Sequence, residues 1–311
     1  MSDQAQNDTF DVLTASDMCV DLVLTGNVRP QFHQVEQIVD DFSLELGGSA
    51  NIFASQLAKL GARVGVIGWV GKDAFGEFCL SRINDLGIDA SRIGVHPGLK
   101  TGLGVALAER DDRAILTYLG TIDALQPSHL SDDLLTACHH WHIASYFLLK
   151  SLRGFWVEWA QRCKAAGLTV SLDTNWDPES RWEGVRELLP FTNVFLPNEN
   201  EALAVAGEDS IFRAARRLTG DGPLVVVKRG AEGALAVRGE QTWEICPGDM
   251  GLQPVRVVDT VGAGDNFDAG FIRGWLLGRD IRECLLLGHR CGVASLTKAG
   301  GIQEQLREVV R

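Results

Sequence analysis

The residues best suited to chemistry lie in one short stretch, Asp259-Thr260-Val261-Gly262-Ala263-Gly264-Asp265. Beyond it Phe267, Phe271 and Trp275 recur every four residues, and Ile272 and Leu276 widen the stripe into the apolar face of a helix. Val255, Val257 and Val258, just before it, read as the end of a strand. A tight turn of small residues therefore delivers the chain into a helix N-terminus, whose first N–H groups lack internal partners and whose dipole favours anions. Glycines at this point let backbone approach a ligand closely. Phosphoryl transfer to a hydroxyl needs donors for the charge on the moving phosphate and a group that takes the hydroxyl proton. Gly262, Ala263 and Gly264 are the candidate anion hole, and Asp265 is the candidate base. A lone Gly-x-Gly-Asp would read as a turn and a helix cap. Two aspartates, a threonine and the strand–turn–helix setting favour chemistry. The chain has no Gly-x4-Gly-Lys-Ser/Thr and no Gly-x-Gly-x-x-Gly after its first strand, which excludes a P-loop and argues against a dinucleotide-binding fold.

Other polar residues fall at the ends of apparent strands. Asp21 follows the first of them, and a carboxylate there can accept two sugar hydroxyls. Gly47 and Gly48 permit close approach, and Asn51 offers a donor and an acceptor, or an N-cap for the next helix. Asn198 and Glu201 are one helical turn apart where a strand meets a helix; they can face one ligand, such as magnesium through water, or cap the helix. Lys228 and Arg229 could meet phosphates or simply be solvated, and Asp173 and Asn175 point to the same sheet edge. In His139-His140-x-His142, alternation puts His140 and His142 on one face, but no further ligand is suitably spaced. A partly buried strand start is the expectation there.

The elements that must position these residues alternate along the chain. Strands are expected at 12–15, 64–67, 141–144, 168–172, 193–196 and 224–227, and helices at 50–60, 74–86, 152–166, 199–206 and 211–218. Short apolar strands with intervening helices are the pattern of a doubly wound, mostly parallel α/β sheet. Segments 22–46 and 100–119 instead alternate apolar and polar residues, the second as a hairpin around Arg110–Arg113. They are expected to form a small β-sheet lid on a single domain spanning 1–311. Lid strands with an exposed apolar face suggest a homodimer.

The 311 residues carry a net charge of −12, which speaks against a nucleic-acid or anionic-membrane surface. Polyanion binding would have to rely on backbone amides and placed groups. The seven cysteines include no C-x-x-C pair and read as reduced thiols. The polar start and the lack of a long apolar run suggest a soluble, cytoplasmic protein.

With these motifs in order, the chain resembles the ribokinase-type (PfkB) carbohydrate kinases from Asp11 to about Gln303. Asp259–Asp265 resembles the C-terminal signature, while Gly47-Gly48-Ser49-Ala50-Asn51 and Val70–Gly76 resemble the N-terminal one. Asn198-Glu199-Asn200-Glu201 is similar to the family's Asn-x-x-Glu element, and Gly230-Ala231-Glu232-Gly233 to its nucleotide-side loop. The resemblance implies a ribokinase-like fold and transfer of the γ-phosphate of ATP, with Mg2+, to a hydroxyl of a small carbohydrate. It places Asp21, Gly47, Gly48 and Asn51 at the sugar, Asn198 and Glu201 at magnesium, and Lys228, Gly230, Gly233, Thr260 and Gly300 at the nucleotide. The chain departs from the family at Ala15-Ser16, where many relatives have glycine, and at Asp268, where ribokinase has asparagine. Thr297–Gly301 resembles the loop that forms the K+ site and adenine wall, yet Gln303 replaces a downstream serine, so a K+ site stays open. A nucleoside kinase, a sugar-acid kinase and a non-catalytic sugar-binding relative remain alternatives.

Overall fold

The computed structural model describes residues 9–109, 113–220, 222–246, 248, 255–298 and 300–308. The hairpin tip at 110–112 and Ala299 lie outside the described residues. Among the described residues there are thirteen strands: β1 (Phe10–Ala15), β2 (Cys19–Thr25), β3 (Asp41–Gly47), β4 (Val64–Gly71), β5 (Asp89–His96), β6 (Gly102–Ala108), β7 (Arg113–Tyr118), β8 (Cys138–Ile143), β9 (Thr169–Leu172), β10 (Val194–Phe195), β11 (Leu224–Lys228), β12 (Ala234–Arg238) and β13 (Gln241–Ile245). Nine form one sheet in the order β13-β12-β11-β10-β9-β8-β1-β4-β5; every pairing is parallel except β11–β12 and β12–β13, so β12 alone runs against the rest.

The strands of this sheet are apolar on both faces because helices cover both. Along β1, Leu13 enters one core and Val12 the other; along β11, Val225 and Val227 face one way and Leu224 and Val226 the other. The first core is filled by Trp141, Trp156 and Trp159 with the helices Trp156–Ala165, Glu199–Ala206 and Ile211–Thr219. The second holds Phe53, Leu57, Phe267 and Phe271 from the helices Ser49–Lys59 and Ala263–Leu276. The doubly wound sheet follows from this two-sided burial.

The remaining strands form a separate sheet in the order β3-β2-β6-β7, the small sheet expected from segments 22–46 and 100–119. Its register puts Asp21, Glu45, Gly104 and Thr117 on one face and Leu22, Leu44, Val105 and Leu116 on the other.

Several expectations need correction. Residues 35–40 are not strand: β3 begins at Asp41, after left-handed His33 and Gln34 have turned the chain, and Val35 and Ile38 are exposed. Val255, Val257 and Val258 do not form a strand either. They are exposed, and Val258 N–H reaches Leu296 O at 2.8 Å; β-branched residues without a partner strand do not make one. The anion-loop candidate is therefore entered from open chain. The helix expected over 152–166 is broken near Gly154 into Lys150–Arg153 and Trp156–Ala165. The sequence reading missed β5, β12 and β13.

The C-terminal segment is stitched into the fold by a buried amide network. Gln305 donates to Asn266 Oδ1 at 2.8 Å and to Ile52 O at 3.0 Å, and accepts from Ser55 Oγ at 2.7 Å. Asn266 in turn donates to Gly262 O and Gly301 O, both at 2.8 Å. Gln305→Ala would strand these buried partners, so it should lower stability by about 2 kcal/mol or more in urea denaturation. An unchanged midpoint and slope would show that water replaces Gln305 without cost.

Candidate active site

A cleft of about 680 Å³ opens where the parallel strands end, with the small sheet along one side. Strand ends are where backbone runs out of ladder partners and polar side chains converge. Asp17 follows β1, Ser145 follows β8, Asp173 follows β9, Asn198 follows β10, and Lys228 ends β11; all line this cleft.

Asp265 sits in the first turn of helix Ala263–Leu276, only 7% exposed, and lines the cleft with Gly262 and Gly264. Gly262 is the N-cap with φ 70°, and a Cβ there would press Ile52 at 2.9 Å, so glycine is required twice over. Ala263 N–H is turned toward Thr260 O at 3.3 Å and Ala263 does not line the cleft, which leaves Gly262 and Gly264 as the close-approach backbone. Burial pushes the Asp265 carboxyl up to about 7; Asp173 and Asp17 add to this, while Lys228 and a hydrogen bond from Ser49 oppose it. Asn175 Nδ2 donates to its Oδ1 at 3.4 Å. A carboxylate that titrates near neutrality in a cleft is suited to accept a proton.

Beneath it lies a buried charge cluster. Lys228 Nζ donates to Asp173 Oδ2 at 2.8 Å and Asp268 Oδ2 at 2.9 Å. Burial opposes the lysine's charge, but Asp173, Asp268 and Glu201 outweigh it and hold the ammonium well above its usual range. Burial also works against ionised Asp173, yet Lys228 keeps it below the carboxylate range. Asp268 goes the other way, pushed far up by burial. The cluster is one lysine between two carboxyl groups that are shifted in opposite directions. Lys228 is thus neither solvated nor free for a nucleotide alone, and a Cβ at Gly264 would lie 3.4 Å from its Nζ, directly under the helix start.

Asn198 and Glu201 form a reciprocal cap. Glu201 N–H donates to Asn198 Oδ1 at 3.0 Å, and Glu201 accepts from Asn198 N–H at 2.8 Å and Nδ2 at 2.7 Å. The capping alternative therefore holds, but inside the cleft: Glu201 is 4% exposed, and burial, with Asp173, pushes its carboxyl up to about 7.

On the opposite wall Asp21 lies between Gly47 and Gly104, and a Cβ on either glycine would collide with its carboxylate. Gly48, with φ 94°, lines the cleft, whereas Gly47 does not. Asn51 is fully buried behind the wall: it accepts from Ser16 Oγ and donates to Gly47 O, each at 2.7 Å, so its amide holds the glycine turn instead of facing a ligand. It does not cap the helix, whose N-cap is Gly48. The carboxylate that meets this helix is Asp17, which the sequence reading passed over. It accepts from Ser49 N–H at 3.0 Å, Ala50 N–H at 3.2 Å and Ser145 Oγ at 2.5 Å. Its only sequence signal was a second acid four residues before Asp21.

On the nucleotide side Thr260 and Gly230 line the cleft. Gly233 does not; its φ of 96° and its packing on Ile245 O serve the turn into β12. Gly300 also stands off the cleft, donating from N–H to Asp259 Oδ2 at 2.9 Å and packed on Glu45. Gln303 Nε2 is engaged with Glu45 Oε1 at 2.5 Å. Arg229 pairs with Glu199 and Glu244. His140 and His142 do share a face but are fully buried, not partly: both bond Ser171 Oγ at 2.7 Å, and burial lowers each to about 3. No group of three potential metal ligands occurs among the described residues, and no helix there is long and apolar enough to cross a membrane.

Replacing Lys228 by Met leaves Asp173 and Asp268 buried without their cation. Stability should fall by about 3 to 5 kcal/mol at pH 8, read by urea denaturation. Asp173 is depressed in the folded state, so the stability it contributes is present above its unfolded value and lost as pH falls through the folded one. The gap between parent and variant should accordingly narrow in acid. Equal stability of the two at pH 8 would contradict the assignment.

The chain as a whole is similar to known kinases. The chain is 27% identical over 290 residues to fructoselysine 6-kinase from Escherichia coli K12, covering 92% of this chain and 97% of that enzyme. It is 29% identical over 301 residues to 2-dehydro-3-deoxygluconokinase from Bacillus subtilis, covering 91% of each. An E. coli protein assigned as a ribokinase II and solved with ATP and Mg2+ superposes with a TM-score of 0.82 at 25% identity over 96% of both chains. The model of the pfkB family of carbohydrate kinases matches residues 11–307, and the chain belongs to that family.

Proposed function

We propose that this protein transfers the γ-phosphate of ATP to a hydroxyl of a small carbohydrate, with Asp265 as the base. The observation that carries the reading is the buried Asp265 carboxyl, raised to about 7, at a glycine-capped helix start on the cleft floor. The substrate hydroxyl gives its proton to Asp265 as its oxygen attacks the γ-phosphorus, and ADP departs. Backbone N–H groups at Gly262 and Gly264, with the Lys228 ammonium beneath, face the charge that builds on the transferring group. Thr260 and Gly230 flank the nucleotide, and Asp21 and Gly48 the sugar. The small sheet along the cleft would close over the sugar and keep water from the γ-phosphate.

Glu201 and Asn198 fit a magnesium–nucleotide complex: hard oxygen donors face the cleft, and Mg2+ is normally held by phosphates, waters and one or two carboxylates. They would hold it through water, where it would supply charge neutralisation at the phosphates. Glu201, raised to about 7, would favour its ionised form once a cation is near.

A second copy of the chain is the proposed cover for the outer face of the small sheet, where Phe42, Leu116 and Tyr118 are 66%, 62% and 51% exposed and Leu22, Leu24 and Leu44 continue the apolar surface. Leu116→Glu should convert a dimer to a monomer in light scattering; a monomeric parent protein would overturn this assembly.

Asp265→Asn keeps the shape of the side chain but cannot accept the proton. It should lower kcat by roughly a thousandfold or more while sugar binding changes little. Near-parental turnover would sink the assignment. In the parent, activity should rise with pH through about 7 as Asp265 loses its proton, then level off; a rate flat from pH 5.5 to 8.5 under subsaturating sugar would contradict it. ATP consumption across sugars, sugar acids and nucleosides separates the substrate classes. A thermal shift without turnover on any of them would favour a binding protein.

A further inference from the structure

The loop after β9, Asp173-Thr174-Asn175-Trp176-Asp177-Pro178, has a construction that the transfer chemistry does not need. Asn175, Ser180 and Trp182 all have left-handed backbone, with φ of 53°, 52° and 57°, a conformation held only where surroundings over-determine it. Asp177 supplies much of that constraint: buried, it accepts from the N–H groups of Glu179 at 2.9 Å, Arg181 at 2.7 Å and Trp182 at 2.8 Å. Asn175 is fixed by accepting from Ser145 N–H at 2.7 Å. The outcome is that Trp176, next in the chain to the residue that donates to Asp265, lines the cleft with 56% of its surface open. An indole left this exposed is normally free to move. Here Trp182 meets it edge-on at 5.4 Å and 90°, and Phe147 backs Trp182 at 5.5 Å and 90°.

The charges around this ring are one-sided. Asp17, Asp21 and Asp265 line the same cleft, and Lys228 is the only cation among the described residues that line it, already held by Asp173 and Asp268. An anionic substituent on the sugar would meet carboxylates and, among the described residues that line the cleft, no cation beyond the one already paired. Carboxylates accept hydroxyl and ammonium donors, and an indole face takes either the C–H side of a sugar or a cation.

We propose that Trp176 is a substrate-stacking, specificity-determining residue, and that the cleft selects polyols without negative charge, uncharged or amine-bearing, over sugar acids and sugar phosphates. The part of the substrate remote from the reacting hydroxyl lies on the indole. This assignment rests on the kinase reading given above and narrows its substrate class.

The test uses fructose, 1-amino-1-deoxyfructose, 2-keto-3-deoxygluconate and ribose 5-phosphate with the parent protein, Trp176→Ala and Trp176→Phe. ADP formation gives kcat and KM, and calorimetry gives Kd. The uncharged or amine-bearing sugar should exceed both anionic ones at least a hundredfold in kcat/KM. Trp176→Ala should raise KM and Kd for that sugar at least tenfold with kcat within threefold of parent, and Trp176→Phe, which keeps a ring, should stay within threefold in all three. An anionic sugar within tenfold of the best substrate overturns the charge selection, and an unchanged Kd in Trp176→Ala overturns the stacking role. Binding in the expected order without ADP would refute the kinase reading and leave this one standing; binding of none of the four overturns this one.

Discussion

A single ammonium group, Lys228 Nζ, sets the geometry of the cleft at the strand ends. It joins the end of β11 to Asp173 beyond β9 and to Asp268 in the helix Ala263–Leu276, which carries Asp265 in its first turn. A charge this deeply placed is tolerable only with partners at hydrogen-bond distance, so the sheet edge and the helix must meet where the three groups meet. The helix start, with its glycine cap, is thereby seated over the strand ends. The electrostatic consequence follows from the same arrangement. Burial carries both Asp265 and Glu201 up to about 7, and Asp173, held ionised by Lys228, adds to the rise in each. Asp268, one turn after Asp265 in the same helix, gives the lysine its second carboxyl partner.

Loops around the cleft are shaped by short carboxylates that gather backbone N–H groups. Asp17 ties the start of helix Ser49–Lys59 to Ser145, Asp177 curls the chain that carries Trp176, and Asp73 joins Gly76 to Thr101 beside the small sheet. Each supplies partners where strand or helix hydrogen bonding has run out. On the facing sheet the device is the reverse, removal of side chains. Gly47 and Gly104 flank Asp21 with no Cβ, and its carboxylate occupies the space that a Cβ on either would take.

Much of this could be read locally. Helix Glu199–Ala206 was legible to its ends, because Asn198 and Glu201 cap one terminus and Gly207, with φ 65°, closes the other. The parallel strands were legible as short apolar runs, since burial on both faces leaves no room for polar alternation. Of the strands that escaped, β5 and β13 lie at the two sheet edges and carry polar residues, while β12 is a buried apolar run of only four residues, Ala234–Val237, before Arg238. The valines before the glycine loop misled in the opposite sense, since propensity for strand is realised only beside another strand.

By itself, the sequence determined most of the alternating strands and helices, the glycine-to-helix turn and the acid in its first turn, because periodicity and backbone preference are properties of neighbouring residues. Tertiary structure alone decided the partners. It turned the Asn51 amide away from the cleft to Ser16 and Gly47, locked Lys228 between Asp173 and Asp268, brought Asp17 to the N-terminus of a helix 33 residues later in the chain, and stood Trp176 in the cleft on Trp182. Those contacts join segments far apart in the chain or turn on loop geometry, and direction in space is not written in local spacing. Asp265 itself shows the division: its type and place were local, but the burial and neighbouring charges that make it a candidate base exist only in the folded chain.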